Sequence, residues 1–77
     1  MKAIIISASD WEGLFVDGKL VYENHEIERG VLRGLCKEYK LEFTEIEEAW
    51  VTEDYEDHLC DVGSFPVNLS DVAYDLN

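Results

Sequence analysis

Apolar and polar positions change period several times along the chain, and each change predicts a new element. Lys2 to Ser9 is short and β-branched, with Ile4, Ile5 and Ile6 consecutive. An apolar run without alternation predicts a strand buried on both faces, as at the centre of a sheet. Leu14-Phe15-Val16 and Leu20-Val21-Tyr22 then flank Asp17-Gly18. Asp-Gly as a two-residue loop suits a type I′ turn, which takes positive φ at both positions, so Gly13 to Tyr22 predicts a β-hairpin. That loop sets Val16 opposite Lys19, Phe15 opposite Leu20 and Leu14 opposite Val21.

The period then lengthens. Over Glu26 to Lys40, Ile27, Val31, Leu32, Leu35, Cys36 and Tyr39 gather within about half the circumference of a helix. Asn24 or His25 falls near the N-cap, with Glu26 and Glu28 at the positive end of the helix dipole and Lys37 and Lys40 at the other. Arg29, Arg33, Lys37 and Lys40 form a basic stripe opposite the apolar face. Gly30 and Gly34 each weaken the helix by about 1 kcal/mol relative to Ala, which predicts a place where the backbone packs closely on the sheet.

From Leu41 the alternation returns. Leu41 and Phe43 share one parity, whereas Ile46 and Trp50 share the other. A bulge near Thr44 to Glu45 would join the two phases into one long, bent strand ending near Thr52. A helix from Thr44 competes, because Ile46, Ala49 and Trp50 also fit helical spacing. Glu53 to Asp61 reads as an acidic turn or short helix, Gly63-Ser64-Phe65-Pro66 breaks the chain, and Asn68 to Leu76 fits a short terminal helix. The sum is one α+β domain over residues 1–77. It has a small, mainly antiparallel sheet (strand, β-hairpin, helix, strand), one helix packed on one face, and an acidic C-terminal segment.

Composition limits what such a domain can be. Seventy-seven residues lie near the lower size for a single core. Dimerisation through an apolar face is therefore an expected further source of stability. With 47% apolar residues the chain is foldable and not a solvated tail. Cys36 and Cys60 are widely spaced, and the apolar run after Met1 is too short for a signal-peptide core or a membrane span. A cytoplasmic protein with two reduced thiols is the expectation.

Charge changes the picture most. Residues 1–40 carry seven acids against six bases, whereas residues 41–77 carry eleven acids and no base. A net charge of −12 opposes direct binding to nucleic acid or to an anionic membrane. The expected partner is a basic protein surface. The segment from Glu42 to Asp57 packs eight carboxylates into sixteen residues, with Phe43, Ile46, Trp50 and Tyr55 between them. Candidate partner-binding residues are Glu45, Glu47, Glu48, Trp50, Glu53, Asp54, Tyr55, Glu56 and Asp57. Like-side positions of a strand recur every 6.6–7 Å or so, close to two axial steps of a nucleic-acid strand, so a folded acidic ridge can stand in for phosphates. The basic stripe is expected to neutralise some of these acids, within the chain or across a dimer.

Catalytic and metal-binding patterns are weaker. The run Glu53-Asp54-Tyr55-Glu56-Asp57 lacks the spacing of a calcium loop, and no zinc-ligand spacing joins His25, His58, Cys36 and Cys60. Asp61 beside Cys60 disfavours a thiolate. Asp10 and Glu12 around Trp11 form a carboxylate pair without a recognisable pocket motif. No cofactor, metal or catalytic residue is expected.

The chain is thus expected to be a non-enzymatic acidic interaction protein that binds a basic protein surface and inhibits it by competing with nucleic acid. In size and charge it is similar to small acidic nucleic-acid mimics, phage-encoded inhibitors among them. That analogy rests on no motif. The alternative is a small-ligand-binding homo-oligomer whose site lies between subunits.

Overall fold

The computed structural model describes residues 2–76, the side chain of Leu76 excepted. The strands are β1 (Ala3–Ala8), β2 (Trp11–Val16), β3 (Lys19–Asn24), β4 (Ile46–Val51) and β5 (Tyr74–Leu76), with helices α1 (Arg29–Tyr39) and α2 (Glu53–Val62). They form a five-stranded sheet in the order β3-β2-β1-β4-β5. β1 pairs antiparallel with β2 and parallel with β4, and β4 pairs antiparallel with β5.

β1 is the central strand that its isoleucines predict. Ile4 and Ile6 join Phe15, Ala49, Leu59 and Phe65 on one face of the sheet, while Ala3 and Ile5 join Leu14, Val16 and Ile27 on the other. Ile6, Leu14 and Phe15 are fully enclosed, and burial of each such side chain contributes about 1.5–3 kcal/mol. α2 lies on the first face through Tyr55 and Leu59, and α1 lies on the second through Leu32, Leu35 and Tyr39.

This corrects the expected architecture. The sheet is mixed, not mainly antiparallel, and two helices cover opposite faces where one was expected on one face. The acidic segment is no appendage. Its helix closes half of the core.

The hairpin forms as predicted, with Asp17 and Gly18 both at positive φ (50° and 80°). Val16 faces Lys19 and Phe15 faces Leu20, but a bulge then places Leu14 opposite Tyr22 and not Val21. The extra residue lets both Val21 and Tyr22 pack on the α1 side.

α1 begins three residues later than the pattern suggests. Its N-cap is Glu28, without a side-chain cap bond, and neither Asn24 nor His25. The lead-in is fixed from outside, because the Ile27 N–H donates to Glu12 Oε1 at 2.8 Å. Val31 is exposed, and a Cβ added at Gly30 or Gly34 would meet nothing within 4 Å. Neither glycine marks a close approach to the sheet.

The long bent strand is absent. A 3₁₀ turn at Phe43–Glu45 precedes β4, and this turn does the work assigned to a bulge by resetting the parity before Ile46. α2 starts cleanly: Thr52 caps it by accepting the Tyr55 N–H at 3.3 Å, and Glu53, Asp54 and Glu56 occupy its first turn. Gly63 ends it at φ 86°. The expected terminal helix is instead a 3₁₀ turn at Leu69–Asp71 followed by β5. Before that turn, Val67 accepts the Leu20 N–H and fastens the segment along β3.

Candidate functional site

Strand alternation divides the acidic segment between two surfaces. Ile46 packs on the α1 side of the sheet and Ala49 on the α2 side. Glu48 and Trp50 share the parity of Ile46, so they lie on the α1 side, and Glu47 shares the parity of Ala49. Trp50 is 52% exposed, between Ser7 of β1 and Asp75 of β5. Glu45 is exposed at the end of the 3₁₀ turn. Glu47 borders a cavity of about 480 Å³ at the opposite end of β1, near Lys2 and Tyr74.

α2 does gather carboxylates. With Tyr55 and Leu59 turned to the core, Glu53, Asp57, Asp61 and Asp54 fall within about 100° of arc on the outer side at 3.6 residues per turn. All four are exposed. Glu53, Asp57 and Asp61 form one row, each about 6 Å along the axis from the next. Tyr55 is not on this surface; burial, and next the charge of Asp71, raise its phenol above the usual range. Glu56 lies on the shoulder of the helix. The hydroxyl and the N–H of Ser9 both donate to its Oε1, the latter at 2.7 Å, and hold its carboxyl below the usual glutamate range.

Within the chain, the expected pairing of the basic stripe with the acidic segment does not form among the described residues. Arg29, Arg33, Lys37 and Lys40 belong to the helix side of the sheet opposite α2. Among the described residues the carboxylate within ion-pair distance of a basic side chain is Asp10, 3.4 Å from His25 Nδ1, a charged pair only when that imidazole is protonated. The sheet therefore separates a basic helix from an acidic one, and the outer face of α2 keeps its charge.

Three side chains that carried no clear signal in the sequence meet at the carboxyl end of β1. Trp11, His25 and Cys60 line one cavity of about 280 Å³ together with Asp10 and Glu56. Trp11 Nε1–H donates to Glu23 Oε1 at 2.7 Å, and the His25 ring stands at 83° to the indole with centroids 5.0 Å apart. Glu23 also accepts the Phe65 N–H, so one carboxylate fixes the indole and the loop after α2. His58 does not join Cys60 here; its ring packs near Tyr55. Nor do Asp10 and Glu12 act as a pair, because Glu12 accepts from Ile27 and Ser7.

Both cysteines are free thiols, Cys60 exposed and Cys36 buried. Burial, and next the charge of Glu42, push the Cys36 thiol up. Among the described residues no group of three or more His, Cys, Asp or Glu side chains is placed to hold a metal ion, and no helix is long and apolar enough to cross a membrane.

In comparisons with protein-family models, curated proteins and solved structures, the chain finds no match.

Proposed function

We propose that the protein is a non-enzymatic interaction module that binds a basic protein surface through the outer face of α2. The observation that carries this reading is the charge on that face. Glu53, Asp54, Asp57 and Asp61 are exposed, converge on one arc, and have no cation within ion-pair distance among the described residues. Four like charges on one short helix repel each other and favour a partner that neutralises them. The capping of α2 and its packing through Leu59 fix the backbone that presents this face, so the ordering cost of binding falls on the side chains. The row from Glu53 to Asp61 spans about 12 Å, the axial length of three to four phosphates on one nucleic-acid strand. Competition with nucleic acid for the partner's basic surface is the finer form of the proposal.

The test compares two variants of equal net charge. One carries Glu53→Gln, Asp54→Asn, Asp57→Asn and Asp61→Asn; the other carries Glu26→Gln, Glu28→Gln, Glu38→Gln and Glu42→Gln, all exposed and outside α2. A basic protein captured by the wild type at low salt is expected to be lost by the first variant and kept by the second. Equal retention, or equal loss, by both overturns the reading. Displacement of nucleic acid from the captured protein then tests the finer form.

A further inference from the structure

The cavity at the carboxyl end of β1 lies between the β1–β2 turn, the segment after β3, and α2. Its volume of about 280 Å³ suits one side chain more than a drug-sized ligand, whose pockets run about 300–1,000 Å³. Ala8 and Leu59 give it an apolar floor. The indole of Trp11 forms a wall that its bond to Glu23 holds in place.

Two carboxylates complete the lining. Asp10 is exposed beside His25, whose Nδ1 lies 3.2 Å from the Asp10 carbonyl oxygen and 3.4 Å from its carboxylate. Glu56 spends Oε1 on Ser9, and Oε2 takes no part in those bonds. An aromatic wall and two anions over an apolar floor suit a cation carried on an apolar stem. Of the two such side chains, the ammonium of Lys is compact and strongly hydrated. The guanidinium of Arg is planar, weakly hydrated, stacks on aromatic rings and engages carboxylates with a fork of donors.

We propose that this cavity receives an arginine side chain of the basic partner and anchors it beside the acidic face of α2. The inference rests on the reading above, since the arginine belongs to that partner. Continuity on the helix supports it. Glu56 and Cys60 line the cavity, and Glu53 and Asp57 lie about 60° and 100° further round the same helix from Glu56. A chain leaving the cavity therefore runs directly onto the outer carboxylates. Arginine is also among the side chains that most often anchor an interface in a pocket of the partner.

Cys60 supplies the readout, because its exposed thiol lies on the cavity wall whereas Cys36 is buried. Alkylation of native protein is followed by mass spectrometry as N-acetyl-arginine amide is added at constant ionic strength. N-acetyl-citrulline amide serves as the uncharged isostere. The arginine amide is expected to slow modification of Cys60 with a dissociation constant on the order of 1 mM, and the citrulline amide to leave it unchanged. Asp10→Asn with Glu56→Gln is expected to weaken the protection roughly tenfold, by loss of charge-assisted hydrogen bonds. Glu53→Gln with Asp57→Asn removes equal charge outside the cavity and is expected to preserve it.

No slowing by the arginine amide, equal slowing by the citrulline amide, or equal behaviour of the two double variants overturns the proposal. The probe involves no partner. A cavity indifferent to arginine therefore removes the anchor alone, and the role of the α2 face is decided separately by partner capture.

Discussion

Replacing Gly13 with Ala adds one methyl group where β2 meets the Phe65 ring. Its Cβ would lie 2.6 Å from Phe65 Cδ2, 2.8 Å from Phe65 Cε2 and 3.3 Å from Leu20 Cδ1. Ordinary carbon–carbon contacts are about 3.5–4.0 Å, so the ring must retreat by close to 1 Å. It has little freedom to do so. Phe65 is buried, its ring packs edge-on to Phe15 with centroids 5.7 Å apart, and its backbone N–H is tied to Glu23 at 3.0 Å. Overpacking of this kind costs about 1–3 kcal/mol. Loss of conformational freedom in the unfolded chain returns about 0.4–1 kcal/mol. The net expectation is destabilisation by about 1–2 kcal/mol, or a melting point lower by roughly 5–15 °C in a domain of this size. Urea unfolding followed by tryptophan fluorescence measures it as a lower midpoint at unchanged slope. Phe65→Leu shortens the ring that the methyl group meets, so the double variant is expected to be more stable than the sum of the two changes by at least about 0.5 kcal/mol. A Gly13→Ala protein as stable as wild type, or strict additivity with Phe65→Leu, refutes the packing argument.

Three further substitutions have expected outcomes. Thr52→Ala removes the side-chain cap of α2 and is expected to cost about 0.5–2 kcal/mol in urea unfolding, with the helix signal in circular dichroism lost at a lower midpoint. Gly34→Ala, in the middle of α1 with open space around the new Cβ, is expected to stabilise by up to about 1 kcal/mol and to raise the melting temperature. Ser9→Ala removes the hydroxyl that donates to Glu56. A carboxyl held low in the folded state stabilises above its unfolded pKa, and that contribution disappears as pH falls through the folded value. The stability gap between wild type and Ser9→Ala is therefore expected at neutral pH and to close in acid, below the usual glutamate value of about 4.3. A gap that widens in acid would contradict the assigned bond.

Legibility in the sequence followed the range of the interaction. Asp17-Gly18 announces its turn because the two residues themselves take the required φ values. Ile4-Ile5-Ile6 announces a doubly buried strand, and the spacing of Leu32, Leu35, Cys36 and Tyr39 announces the face of α1, because each pattern repeats within a few residues. The partner of β1 across the sheet had no such local mark. β4 lies about forty residues further on, and its parallel register, Ala3 with Ile46 through Ser7 with Trp50, belongs to a sheet that α1 and α2 cover on opposite faces. β5 lies where the local pattern fits a helix for the same reason, since a three-residue edge strand is defined by its neighbour more than by its own sequence.

The candidate sites divide along the same line. Sequence alone determined that residues 41–77 are acidic without a compensating base, and that a short acidic helix was possible there. Tertiary structure decided which carboxylates share a surface. Pleating sends Glu48 and Trp50 away from Glu47, and helical periodicity adds Asp61 to Glu53, Asp54 and Asp57. The sheet stands between those acids and the basic stripe that was expected to neutralise them. It also brought Asp10, Trp11, His25, Glu56 and Cys60 to one cavity from three separate stretches of chain. Charge is a property of residues and can be counted along a chain. A charged surface depends on which residues share a side of the folded sheet, and long-range burial of apolar area decides that.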